Sequence, residues 1–253
     1  MSELGDRFIS CDWGTSNFRL RLVETNIMLV LEEHRTDQGI RVMHQKFTQQ
    51  TAMDRLLYYA HYLKQQLSAL SLTHLSGQIV ISGMASSNLG LKELPYAHMP
   101  FFQTGKGLEW KSIATQNGLN LLLISGVKSE NGMMRGEETQ AIGLEPHLKP
   151  LARGILILPG THSKHLVFEE EKFTGMKNFM TGEVFEVMSQ YSILSNSVSG
   201  SSWNPDRESA FVSGLEQGLK GCLTSHLFSI RADHVLKKTS KEDNYFKLSG
   251  MVI

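Results

Sequence analysis

The 253-residue sequence holds only two cysteines, Cys11 and Cys222, far apart and outside any C-x-x-C pair. That excludes a disulfide-stapled scaffold and a zinc ribbon, and leaves two reduced, buried thiols as the expectation. Charge of one sign is also missing. Lysine plus arginine number 25 and aspartate plus glutamate 25, with no long run of either. Such a chain offers no electrostatic footprint for nucleic acid or an anionic membrane, so a small-molecule partner is expected. No apolar stretch reaches bilayer length, and the opening residues carry no basic-then-apolar pattern. The expectation is a soluble, cytoplasmic protein. Its oligomeric state stays open, a homo-oligomer included.

What is present is organised around a short polar loop, Cys11-Asp12-Trp13-Gly14-Thr15-Ser16-Asn17, between two apolar segments. After it Phe18, Leu20 and Leu22 alternate with Arg19 and Arg21, the two-residue period of a half-buried strand. Without a Cβ, Gly14 lets the backbone turn sharply and approach a ligand, and the N–H groups of Gly14, Thr15 and Ser16 can converge on a phosphate. Asp12 is a hard carboxylate suited to Mg²⁺. An ordinary hairpin, in which these side chains only satisfy turn hydrogen bonds, fits the same residues.

Further along, Ile27–Leu31 reads as a third strand ahead of a polar stretch, Glu32–Gly39. Thr51 reads as the cap of a helix with Leu56, Ala60, Leu63, Leu67 and Leu70 on one face. Gln78–Ile81 and Leu121–Ile124 read as buried strands. The first runs into Ser82-Gly83-Met84-Ala85-Ser86-Ser87, a loop at a strand's carboxyl end, where open α/β sheets place ligands. Met134–Gly143 reads as a helix start with Glu137 and Glu138 in its first turn. Pro146 and Pro150 punctuate the chain, giving an expected division into residues 1–148 and 149–253.

The second part repeats the order of the first. Gly154–Leu158 is a strand, Pro159–Lys164 a polar glycine turn, and His165–Phe168 the return. A third strand follows around Lys172–Met176, then a helix capped by Thr181 with Val184, Val187, Met188, Tyr191 and Leu194 as its stripe. A long second helix spans Phe211–Leu223, its small residues suited to close packing. Ser195–Asp206 reads as an exposed loop, and Tyr245–Ile253 as strand and loop. His162 and His165 have an H-x-x-H spacing, but with no third ligand and a strand turn beneath them they read as structural. The expected architecture is α/β with a duplicated strand–turn–strand–strand–helix unit. Two facing halves would place the Asp12 turn and the Gly160 turn across one cleft, the geometry phosphoryl transfer needs.

Asp12–Arg19, Ser82-Gly83-Met84, Pro95-Tyr96, Met134–Gln140, Leu158–Lys164, Met180–Glu183 and Leu248-Ser249-Gly250 together resemble the 2-keto-3-deoxygalactonokinases, also called 2-dehydro-3-deoxygalactonokinases. These are sugar-acid kinases of the actin/hexokinase/Hsp70 ATPase superfamily. The resemblance implies two actin-like, ribonuclease H-like domains. It also implies transfer of the ATP γ-phosphate to the C6 hydroxyl of 2-dehydro-3-deoxy-D-galactonate in galactonate catabolism, with ATP and Mg²⁺ as cofactors. By the same resemblance Asp12 anchors Mg²⁺ and Gly14, Thr15 and Ser16 form a first phosphate loop. Gly160, Thr161, His162 and Ser163 form a second, with Lys164 near the phosphates or the substrate carboxylate. Glu137, and after it Glu138, would take the hydroxyl proton, although helix-dipole stabilisation explains at least one of them. Arg19 or Arg135 would hold the sugar-acid carboxylate, or form ion pairs instead, and Ser82, Gly83 and Met84 would line the substrate side. Family members continue past Leu-Ser-Gly, so an incomplete second domain and nucleotide pocket are expected. Another kinase or a nucleotide hydrolase of the superfamily, or an inactive remnant, are the competing readings.

Overall fold

A computed structural model describes residues 5–50, 53–71 and 78–253. The chain forms two compact units, one of residues 1–156 with 165–177, the other of 157–164 with 178–253.

The first unit is built on a six-stranded sheet. Strands β1 (Arg7–Trp13), β2 (Phe18–Glu24) and β3 (Leu29–Thr36) form an antiparallel meander. Phe18, Leu20 and Leu22 are buried as their spacing requires, and β2 sets Arg19 directly across from Asp12. The third strand begins two residues later than expected and runs on through Thr36. Ile27 and Met28 instead make the exposed connection, Met28 in the left-handed region. Pairing with β2 overrides the polarity of Glu32–Thr36, because only one face of an antiparallel edge strand has to be apolar.

Helices α1 (Ile40–Thr48) and α2 (Arg55–Leu67) follow. The α2 stripe is buried at Ala60, Leu63 and Leu67, with Leu70 buried just beyond. Its cap is Asp54, whose carboxylate accepts from the Leu57 amide at 3.3 Å; Thr51 lies outside the described residues. Strand β4 (Ile79–Gly83) runs parallel to β1 and pairs Asp12 with Ser82 and Trp13 with Gly83. The short strands β5 (Ala97–His98) and β6 (Phe101–Phe102) precede β7 (Trp110–Ala114) and β8 (Asn120–Ile124). Together the large sheet has the order β3-β2-β1-β4-β8-β7. Strands β9 (Val127–Lys128) and β10 (Met133–Met134) join β5 in a small sheet and lead to α3 (Glu137–Gly143) and α4 (Glu145–Leu148).

Trp13 is the centre of this unit's core. It is fully buried, with the rings of Phe18, Tyr59 and Tyr62 at 4.8, 5.5 and 5.7 Å, and its indole N–H donates to the Gln38 carbonyl at 3.0 Å. Burial of a side chain this size is worth about 4–6 kcal/mol of transfer free energy. It anchors the loop that begins at the next residue.

Strands β11 (Arg153–Leu158), β12 (Ser163–Glu169) and β13 (Lys172–Phe179) lie in that order in a second sheet, which β6 completes by pairing antiparallel with β13. The β12–β13 turn places Glu170 and Glu171 in the left-handed region.

The second unit is helical: α5 (Thr181–Tyr191), α6 (Glu208–Leu219), α7 (Leu223–Lys237) and α8 (Lys241–Val252). Thr181 is the first helical residue rather than the cap, which falls to Met180 without a side-chain bond. On α5, Val187 and Tyr191 are exposed, while Leu194 beyond it is buried. The expected single second helix is two, because Gly221 and Cys222 both take positive φ and break it. Cys222 is consequently exposed, not buried. The stretch read as an exposed loop, Ser195–Asp206, contains buried Ser197 and Val198 and the short helical turn Pro205–Arg207.

The largest correction is α8, expected as strand and loop. Ser240 caps it, its hydroxyl accepting from the Asp243 amide at 3.0 Å. Burial at Asn244, Phe246, Leu248 and Gly250 imitates a strand's alternation because α8 is clasped by both α6 and α7. The small residues of α6 meet it as their spacing suggested. A Cβ on Gly214 would lie 2.0 Å from the Lys247 carbonyl oxygen, and one on Gly250 2.0 Å from that of Phe211. Among the described residues no helix is long and apolar enough to cross a membrane.

Candidate active site

Three backbone segments of the first unit meet with no side chain between them. Strand pairing puts Trp13 beside Gly83, whose φ of +86° only glycine adopts readily, and a Cβ there would stand 2.7 Å from the Trp13 carbonyl oxygen. Gly136, at φ +116°, closes on the other side, its own would-be Cβ 3.3 Å from Gly83 Cα. This stack brings Asp12, Ser82 and the run Arg135-Gly136-Glu137-Glu138 into one neighbourhood at the carboxyl ends of β1 and β4.

Asp12 is about two-fifths exposed, with the Arg19 guanidinium at 3.5 Å. Arg19 lies between it and Glu33, its buried Nε making no hydrogen bond and standing 3.8 Å from the Glu33 carboxylate. Glu33 also binds Arg35 and Arg21, which hold its carboxyl below the usual carboxylate range, Arg35 most strongly. Arg19 is thus part of a surface ion network and orients Asp12. The loop beyond is fastened from behind. The Gly14 carbonyl accepts from the Ile40 amide at 2.9 Å and the Thr15 carbonyl from Arg41 at 3.1 Å, while Gly39 has no room for a Cβ, 2.4 Å from the Thr15 oxygen. Thr15 and Ser16 themselves are exposed.

Arg135 has its guanidinium 4.0 Å from the Tyr96 ring centre, and one of its terminal nitrogens donates to both the carbonyl and the hydroxyl of buried Ser86. Its Nε is buried without a hydrogen-bond partner. The two glutamates that follow have different environments. Glu137, half-buried at the first position of α3, accepts from the Arg135 amide at 3.1 Å. Glu138 is fully buried, and both its oxygens lie 2.8 Å from the Gly136 amide nitrogen. Desolvation pushes its carboxyl up to about 7, against the lowering effect of its own and the Gly136 amides. Met84 turns into the core at the start of the short helical turn Met84–Ser86.

The second turn belongs to the other unit. Gly160, Thr161 and His162 are exposed, Ser163 and Lys164 buried. His162 Nε2 meets Glu183 at 2.5 Å, and the Lys164 ammonium donates to the His162 carbonyl at 2.7 Å. The Thr161 carbonyl accepts from the Glu183 amide at 3.0 Å, and a Cβ on Gly182 would lie 2.7 Å from the Gly160 oxygen.

Sequence reasoning named Ser86 within the ligand-side loop and Gly182 within a family motif but gave neither a role, since the contact of Ser86 with Arg135 spans distant chain positions, and it gave none to Gly39. A glycine just before or within a helix's first turn was the available signal. Asp12 fits a magnesium ion in kind: a half-exposed carboxylate suits a cation that keeps waters and takes phosphate oxygens.

The chain is a mixed α/β protein. It matches the family model for 2-keto-3-deoxy-galactonokinase over residues 12–253, and it belongs to that family. It is 30% identical over 252 residues to the "Probable 2-dehydro-3-deoxygalactonokinase DgoK1" of Rhizobium meliloti (strain 1021), covering 97% of this chain and 78% of that one. With the 2-dehydro-3-deoxygalactonokinase of Escherichia coli (strain K12) it shares 28% identity over 98% of this chain and 78% of that protein. The crystal structure of a protein from Sinorhizobium meliloti assigned as a 2-dehydro-3-deoxygalactonokinase superposes with a TM-score of 0.80 at 28% identity, over 97% of this chain and 77% of that one.

Proposed function

We propose that this protein is a cytoplasmic sugar-acid kinase of galactonate catabolism. It transfers the ATP γ-phosphate to the C6 hydroxyl of 2-dehydro-3-deoxy-D-galactonate and forms the 6-phosphate. The observation that carries the reading is the backbone stack of Trp13, Gly83 and Gly136, which gathers a carboxylate suited to magnesium, a second carboxylate and an arginine. In-line phosphoryl transfer requires those groups held together more than it requires covalent chemistry.

In this reading Asp12 holds Mg²⁺, which when bound neutralises charge on the phosphates. The Gly14 amide is taken by the Asn17 carbonyl at 2.9 Å, so the amides of the exposed residues Thr15 and Ser16, and on the second turn those of exposed Gly160, Thr161 and His162 with buried Ser163 behind them, receive phosphate oxygens. Lys164, tied to the His162 carbonyl, stiffens that second turn and adds positive charge beside it. Glu137 is the general base, since Glu138 has both oxygens committed to an amide inside the protein. Arg135 holds the sugar-acid carboxylate. One terminal nitrogen is fixed on Ser86, which sets the plane of the guanidinium presented to the acid. Ser82 lines the substrate side beside Asp12.

The two-domain, duplicated reading draws support from a device found in each half. In both, the carbonyl of a turn threonine, Thr15 or Thr161, accepts an amide from the next helix, and a glycine too tightly seated for a Cβ, Gly39 or Gly182, backs the turn. The test is release of ADP from ATP and Mg²⁺ with and without the sugar acid. Turnover that requires the acid is expected. ATP hydrolysis indifferent to it would replace the kinase by a nucleotide hydrolase.

A further inference from the structure

Glu137 and Glu138 are adjacent carboxylates with unlike tasks. Gly136, the N-cap of α3, has no side chain with which to cap it. The two amides ahead of that helix are instead met by the carboxylates two residues on: Arg135 N–H by Glu137 at 3.1 Å and Gly136 N–H by Glu138 at 2.8 Å. The acceptor of the second bond, the Glu138 side chain, has no exposed surface. It holds Gly136 at a φ of +116° with its Cα against Gly83. Gly83 in turn lies against Trp13, next to Asp12.

We propose that Glu138 is the positioning residue of this site: through the Gly136 amide it keeps Arg135 and Glu137 in register with Gly83 and Asp12. The inference rests on the kinase reading for its kinetic consequence only. A carboxylate with no exposed surface and both oxygens on the Gly136 amide, with its own amide beside them, does not reach a substrate hydroxyl. Losing it frees a partly buried donor and relaxes a backbone held in a region sparsely populated by any residue. Displacement of reacting groups by about 1 Å costs on the order of 100-fold in rate.

The decisive comparison uses Glu138→Gln, which keeps an acceptor, Glu138→Met, which keeps the volume without one, and Glu137→Gln. Expected are kcat within about tenfold of wild type for Gln at 138, a loss of roughly 100-fold for Met with KM for MgATP unchanged, and a larger loss of kcat for Gln at 137. Hydrogen exchange at the Gly136 amide gives a reading independent of activity: protected in wild type and E138Q, faster by at least about tenfold in E138M. Should E138M fail to fold, E138Q decides. A dead E138Q whose Gly136 amide stays protected overturns the proposal, because the carboxylate then acts on the substrate itself. Unchanged Gly136 protection in a folded E138M also overturns it. Absence of sugar-acid-dependent turnover in wild type removes the kinase reading, and Gly136 exchange still judges the role of Glu138.

Discussion

Gly83 and Gly136 meet backbone to backbone, a Cβ on Gly136 falling 3.3 Å from Gly83 Cα, with both residues at positive φ. Neither position tolerates a side chain cheaply. Gly83→Ala would also drive its methyl to within 2.7 Å of the Trp13 carbonyl oxygen. A stability loss of about 2–4 kcal/mol is expected from strain and displacement together, measured by urea unfolding. An alanine variant as stable as wild type would mean that the three segments can separate freely.

Asp12 is the only acidic side chain on the first turn, and Arg19 beside it supplies charge balance but no alternative ligand. Asp12→Ala is expected to lower kcat by at least about 1000-fold at ordinary magnesium concentrations while leaving the fold intact, since its side chain is partly exposed. Coupled ADP release over a magnesium titration measures this. Full turnover in the variant would move the metal elsewhere.

Arg135 touches Ser86, Tyr96 and, in the kinase reading, the acid group of the substrate. A lysine there keeps the charge but loses the planar fork and the stacking. Arg135→Lys should raise KM for the sugar acid about 10- to 100-fold with little change in KM for ATP. Equal effects on both substrates would assign the residue a structural task alone.

The Glu138 carboxyl, pushed up to about 7 from the usual 4.5 mainly by desolvation, makes stability depend on pH. Because the folded protein binds this proton more tightly than the unfolded chain, the group's favourable contribution is complete below about pH 4.5 and is lost as pH rises through 7. The loss amounts to about 3 kcal/mol. Glu138→Gln cannot ionise, so its stability relative to wild type should rise between pH 5 and pH 8, even though the glutamate serves the site better. Parallel unfolding curves across that range would show that the carboxyl titrates normally.

The sequence alone determined the strands flanking the Asp12 loop, the strands entering Gly83 and leaving Ile124, the buried face of α2 and the tight packing of α6. In each, a strict period of two or of three to four residues, or a row of glycines, leaves one arrangement that buries the apolar side. The runs Arg135–Gln140 and Pro159–Lys164, taken together, also made the family legible before any fold was known. Only the tertiary structure decided that Lys241–Val252 is a helix, because burial on two sides erases the helical period from the sequence. It also decided which of two adjacent glutamates is enclosed. Helical phase separates Glu137 from Glu138 by about 100°, and what each faces depends on Gly83, more than fifty residues away in the chain, folding back against Gly136.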